Sequence, residues 1–406
     1  MDTQKKTVVP KAALVVAFAS MVAFMGIGLV DPILNKIAHE LQATPAQTTL
    51  LFTSYLMVTG IIMLFTGFIS SRIGAKKTMM AGLVIIVLFS ALGAMSQSID
   101  ALIYFRAGWG FGNALFISTA LSAIVTILVG QTERAIMIYE AAMGLGMSIG
   151  PLLGGSLGSM SWRFPFIGVA TLMTISFLAI TVFLKEKKET SEKQAHVGFF
   201  AGVKALAQPK LRGVGLIALL YNFGFFTLLA YAPFLMGDFT ELQTGFTFFG
   251  WGVLLAISSI FLATRIERKI GTLATIILAM VGFFICLAAI GFGAESSSMV
   301  ATALIIAGFF QGIINTLMTT VAMEIPDIPR NIASSSYSFI RFFGGSLAPF
   351  IAGRIAERWS GAHAFYFASF MVLLGIVLLI VFRKFFLTNE EAEAELTQAL
   401  HEDPLI

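Results

Sequence analysis

Residues 134–158 read RAIMIYEAAMGLGMSIGPLLGGSLG. Past Arg134 the stretch holds one charged side chain, Glu140, and otherwise only apolar and small residues. At about 1.5 Å of rise per residue, a helix of this length crosses the ~30 Å hydrocarbon layer of a bilayer. Gly146, Gly150 and Gly154 recur every four residues, which puts them on one face where another backbone can approach closely. Pro151 lacks an amide hydrogen and invites a kink. A helix that is apolar all round and offers a glycine face belongs among other helices in a membrane.

The rest of the chain has the same character. Of 406 residues, 57% are hydrophobic and 12% charged, against about 25% charged in soluble domains. The charges cluster between apolar runs, and the period-2 alternation of a membrane β-barrel is missing. Backbone groups in lipid must be satisfied within the segment, so each run is expected to be helical. The expected fold is an all-α integral membrane protein with 12 transmembrane helices. The first six run from about Ala12 into the mid-30s, Thr48–Ser70, Thr78–Met95, Ala101–Val129, Arg134–Gly158 and Phe164–Leu184. The last six begin near Gly213, Gly245, Thr272, Met299, Ile332 and His363, and the final one ends near Phe382. The division is a lead at 1–11, a six-helix bundle at 12–184, a polar loop at 185–212, a second bundle at 213–386 and an acidic tail at 387–406. The 199–207 part of the loop is mildly amphipathic and suits a membrane face. The lead is followed by a full span, so no cleaved signal peptide is expected.

Orientation follows from Lys and Arg. With the N-terminus in the cytosol, only Lys36, Arg163, Arg354 and Arg358 of the 26 basic residues lie outside, and Arg106 and Arg341 lie within spans. Both termini are therefore expected in the cytosol and the chain in the inner membrane. The halves also repeat at a spacing of about 200 residues: Gly110 and Asn113 match Gly312 and Asn315, Pro32 matches Pro233, and Gly146, Pro151 and Gly155 match Gly344, Pro349 and Gly353. A parallel duplication of this kind places a binding site between the halves near mid-membrane.

Four charges fall inside spans: Asp31, Arg106, Glu140 and Arg341. Each costs roughly 2.5–3.5 kcal/mol on insertion scales, so each needs a partner or a wet cavity. Structural ion pairing is one reading of the arginines, and Asp31 also suits the outer headgroup layer. Glu140 lies roughly 10 Å deep by helical rise and can pick up a proton on one side and release it on the other. The single cysteine, Cys286, and four histidines in or beside loops supply no metal-ligand spacing, so no metal or cofactor is expected. No catalytic constellation, nucleotide-binding loop or soluble signalling domain is present in the sequence, which disfavours a membrane enzyme, a receptor and an ATP-driven pump.

Three motifs then carry a family resemblance. Gly67, Arg72, Gly74 and Lys76 follow the second span in the pattern G-x-x-x-D-R-x-G-R-[RK], with Ser71 in place of the acid and Ala75 in place of a basic residue. Arg106, Gly110 and Gly112 form R-x-x-x-G-x-G in the fourth span. Gly146, Gly150, Pro151, Gly154 and Gly155 complete G-x-x-x-G-P-x-x-G-G in the fifth. In this order the chain resembles the major facilitator superfamily, and in particular its 12-helix drug:proton antiporter branch. The resemblance implies two pseudo-symmetric six-helix bundles around a cavity lined by spans 1, 4, 7 and 10. It implies export of lipophilic, often cationic compounds by alternating access, as in antibiotic resistance. Glu140, Asp31 and Arg106 are expected to couple protons. Substrate binding is expected as a carboxylate gives up its proton, with reprotonation from outside favouring release. Asp31, Asn113, Phe116, Tyr221, Asn222, Phe225, Asn315 and Arg341 are the cavity candidates, and the two glycine motifs are the moving parts. A dedicated exporter of one metabolite, sugar or lipid is the alternative. The expected partners are a small-molecule substrate, protons and lipid, without nucleic acid, and the expected state is a monomer.

Overall fold

The computed structural model describes residues 9–30, 33–43, 45–184, 198–325 and 328–386. The described residues are almost wholly helical. The first span is α1 (Lys11–Gly28), followed by the short α2 (Leu34–Glu40). Spans two to six are α3 (Pro45–Ile73), α4 (Ala75–Ala94), α5 (Ile99–Ile127), α6 (Thr132–Met160) and α7 (Phe164–Phe183). The loop helix α8 (Ala201–Leu206) precedes α9 (Pro209–Leu235). The eighth span is α10 (Glu241–Ile257), which passes through a π turn at Ser258–Leu262 into α11 (Ala263–Ile270). The last four are α12 (Thr272–Phe292), α13 (Ser297–Met323), α14 (Arg330–Arg358) and α15 (Gly361–Val381). The lead to residue 8, Asp31, Pro32, residues 185–197 of the polar loop and the acidic tail lie outside the described residues.

Local chemistry explains the boundaries. Thr240 and Gln243 form a capping box that starts α10, satisfying two otherwise orphaned backbone donors. Ser98 and Ser296 cap α5 and α13. Gly74 (φ 86°) joins α3 to α4, and Gly271 (φ 82°) joins α11 to α12 at the matching place in the other half. Both adopt a backbone conformation in the region that glycine alone occupies readily.

Among the described residues, eleven helices are long and apolar enough to cross a membrane. The twelfth, α14, spans Arg330–Arg358 but falls below that composition because Ser334, Ser335, Ser336, Ser338 and Arg341 lie on it. All five are buried. Its polarity faces protein, not lipid, so hydropathy understates it.

Helices α1 and α3–α7 pack among themselves, as do α9–α15. Two matched seams join the halves: α3 against α14, and α6 against α10. At the Gly74 end of the bundle α14 is tied to the first half by neutral hydrogen bonds. Asn331 Nδ2 donates to the Gly67 carbonyl (3.0 Å) and Ser334 Oγ to the Ser118 carbonyl (2.6 Å). The loop helix α8 packs there against α3 and α14. Ser336 Oγ donates to the Gly202 carbonyl (3.0 Å) and Phe199 stacks on Phe65 at 4.6 Å between ring centres.

Candidate functional site

One buried charge pair joins the halves beside the polar face of α13. Glu140 on α6 and Arg341 on α14 come from opposite halves. Arg341 Nη1 donates to Glu140 Oε1 at 2.9 Å and Nη2 to Oε2 at 3.4 Å. Both side chains are removed from solvent. Thr319 Oγ1 on α13 donates to Glu140 Oε1 at 2.9 Å. Arg341 Nη2 also reaches Met143 Sδ (3.2 Å) and Asn315 Oδ1 (3.5 Å). The guanidinium lies 5.8 Å from the Tyr337 ring centre, and Tyr221 is a further electrostatic neighbour. A two-pronged arginine–carboxylate contact is the strong form of such a pair, and burial makes losing either partner expensive.

Arg106 sits in a different setting. It is 1% exposed. Its Nε donates to the Leu51 carbonyl (3.4 Å) and Nη1 to the Gly26 carbonyl (3.2 Å). Its guanidinium lies 4.3 Å from the Tyr55 ring centre and 4.6 Å from Trp109, a cation–π arrangement. These contacts all belong to the first half. Asp31, the other proposed charge here, is outside the described residues.

Of the cavity candidates, the structure brings Arg341, Asn315 and Tyr221 to the charge pair. Asn222 turns its amide nitrogen back onto the Ala218 carbonyl of its own helix (2.7 Å). Phe225 packs edge-on to Trp251 (5.8 Å) and against Phe226 (5.1 Å). Asn113 is fully buried, and neither amide atom has a hydrogen-bond partner. Phe116 packs against Gly82 of α4, on the side of α5 turned to the third span.

The glycine–proline motif divides its work. A methyl group on Gly146, Gly150 or Gly154 would strike the α1 carbonyls of Met21, Met25 or Leu29. Those glycines therefore clamp α6 to α1 inside one half, and Pro151 lies against Gly28. Gly144, just outside the motif, meets α10 through Leu255 and Gly252. Gly155 lines a cleft between α6 and α10 with Leu152 and Leu242. In the motif after α3, Gly67 abuts Ser335 and Ile332 of α14. Arg72 lies over the Phe68 ring (5.2 Å) and Lys76 Nζ donates to the Thr181 carbonyl (3.1 Å). Ser71 Oγ donates to the Phe68 carbonyl (2.7 Å).

The sequence reading missed Thr319, Met143 and the Trp251–Gln311 pair, in which the indole N–H donates to Gln311 Oε1. A signal existed for two of them. Gln311, Asn315 and Thr319 follow one another at four-residue spacing, so they share a face of α13 in an otherwise apolar span.

With this geometry in view, comparison with known proteins is direct. The family model described as Major Facilitator Superfamily matches residues 16–349 and 238–404. The multidrug efflux protein YfmO of Bacillus subtilis (strain 168) is 48% identical over 92% of this chain and 94% of its own length. Multidrug resistance protein 1 of the same organism is 24% identical over 89% and 94%. The crystal structure of the human organic anion transporter MFSD10 (TETRAN) superposes with a TM-score of 0.74 at 18% identity, covering 91% of this chain and 99% of that one.

Proposed function

Because the chain belongs to the major facilitator superfamily, we propose that it exports lipophilic, often cationic small molecules in exchange for protons. The buried Glu140–Arg341 contact across the two halves carries this reading. Similarity to a multidrug efflux protein over nearly the full length supports the direction and the breadth of substrate. In the proposed topology the Gly74 end faces the cytosol, both termini lie there, and the protein works as a monomer in the inner membrane.

The cycle starts with the cytosolic end closed. A proton from outside reaches Glu140 and cancels the charge that holds Arg341. Breaking a buried pair costs about 3–5 kcal/mol. One proton crossing about 100 mV and one pH unit supplies roughly 2.3 plus 1.4 kcal/mol. The two are of the same size, so one proton carried across per cycle matches the energy of breaking and remaking the seam once. The cytosolic end then opens, substrate enters, and the proton leaves inward. The pair re-forms, the end closes, and substrate departs outward. This order puts protonation before opening toward the cytosol, whereas the sequence reading coupled it to release. Asp31 and Arg106 form the second proposed coupling element, near the opposite membrane face.

The test is proton-driven efflux in everted vesicles. Wild type should accumulate a lipophilic cation when the membrane is energised. Glu140→Gln should lose the response to the proton gradient while still exchanging substrate down its own gradient. Full retention of gradient-driven uptake by both Glu140→Gln and Asp31→Asn would overturn the coupling assignment.

A further inference from the structure

The chemistry of two amides on α13 goes further and, resting on the export reading above, bears on what the transporter selects. Gln311 and Asn315 are fully buried, one helical turn apart, and face different neighbours. Gln311 accepts from the indole N–H of Trp251. An indole nitrogen only donates, so it must meet the amide oxygen and leave the NH₂ pointing elsewhere. Asn315 accepts from the guanidinium of Arg341, a group that also only donates. The same logic applies one turn along. The Gln311 Nε2 and Asn315 Nδ2 atoms both lack a partner. Buried donors are nearly always satisfied by protein, water or ligand, and here two are oriented by neighbours that cannot accept. Beside Gln311, Trp251 packs edge-on to Phe225 and Phe248, an aromatic cluster next to the donors.

We infer that Gln311 and Asn315 form a donor-only recognition element, and that with Trp251 and Phe225 it selects planar aromatic compounds bearing a hydrogen-bond acceptor such as a ring carbonyl. Arg341 and Trp251 act on the substrate through the amides: they set which way each amide faces. A substrate whose only polar group is a donor gains nothing at this element.

Xanthone and xanthene make the test, since they share a ring frame and differ by a carbonyl against a methylene. Binding is measured by equilibrium dialysis on the full chain in nanodiscs, corrected with empty nanodiscs. Wild type should bind xanthone about three- to tenfold more tightly, the worth of one neutral hydrogen bond. Gln311→Met should erase that preference with xanthene affinity unchanged. Should Gln311→Met fail to fold, Gln311→Glu, which keeps an oxygen for the Trp251 N–H and removes the donor, carries the same expectation. Equal binding of the two compounds by wild type, a preference that survives the substitution, or a parallel loss of both compounds overturns the inference. Everted-vesicle uptake of tetraphenylphosphonium by wild type tests the export reading alone. A transporter that moves no cation yet loses its carbonyl preference on substitution would sink export and leave this element standing.

Discussion

Arg106 and Arg341 are both buried guanidinium groups, held by opposite strategies. Arg106 is gripped inside one half by backbone carbonyls and two aromatic faces. None of those groups moves relative to it when the halves rock as rigid bodies. Arg341 is gripped across the seam by a carboxylate, the one kind of partner that a proton can switch off. The contrast is between a charge whose described contacts stay within one half and a charge held across the seam. A guanidinium does not deprotonate in proteins, so in the proposed cycle the switch lies on Glu140.

The sharpest way to break this contrast is Glu140→Gln. It strands Arg341 and should cost about 3–5 kcal/mol of stability, read as a lower unfolding temperature in detergent. Arg341→Gln should cost less, because the remaining Glu140 can neutralise itself by taking a proton. A larger loss for Arg341→Gln would reverse the assignment of the switch. Next comes Arg106→Lys, which exchanges a planar fork for a point charge. It should lose about 1.5–3 kcal/mol, the worth of a hydrogen bond to a charged group. Efflux per folded molecule, normalised by size-exclusion yield, should stay gradient-driven.

The glycines sharpen the same division between halves and seam. Gly146→Ala overpacks α1 against α6 and should cost about 1–3 kcal/mol, seen as reduced thermal stability. Gly144→Ala overpacks the seam with α10 instead. It should shift the balance of open and closed states, visible as altered labelling of a cysteine placed at position 331. Smallest of all is Glu133→Ala. It removes a 3.6 Å pair to Arg268 whose side chains are 48% and 73% exposed. Exposed pairs of this kind contribute about 0–1 kcal/mol, so efflux should change little with the substitution or with added salt.

Twelve spans were legible from apolar run length and Lys/Arg placement, and even α14 could be drawn because its flanking loops are charged. The two halves were legible from matched glycines and prolines. Glu140 and Arg341 stood out singly, because charge inside a span is costly wherever it lies. Their meeting was not legible. They are far apart in the chain, and the duplicated pattern relates their helices without saying that the side chains touch. The glycine motif was readable as close packing, but not which helix it packs against. Position 71 carries Ser where the family pattern has an acid. The structure closes that end with Asn331 and Ser334 donating to backbone carbonyls. Such contacts are invisible in sequence, since any residue supplies a carbonyl.

The unusual polarity of α14 has a consequence for how the chain is made. An emerging segment that carries Arg341 and the run Ser334–Ser336 gains little by leaving the translocation channel for lipid; an arginine at mid-span alone opposes it by about 2.5–3.5 kcal/mol. Its neighbour α15 is apolar enough to enter unaided. The eleventh segment should therefore linger at the ribosome-bound channel until α15 follows, and then enter against α3 and α9, which are already in place. A nascent chain halted before α15 emerges should leave a cysteine placed in α14 open to a water-soluble thiol reagent, and one halted after it should not.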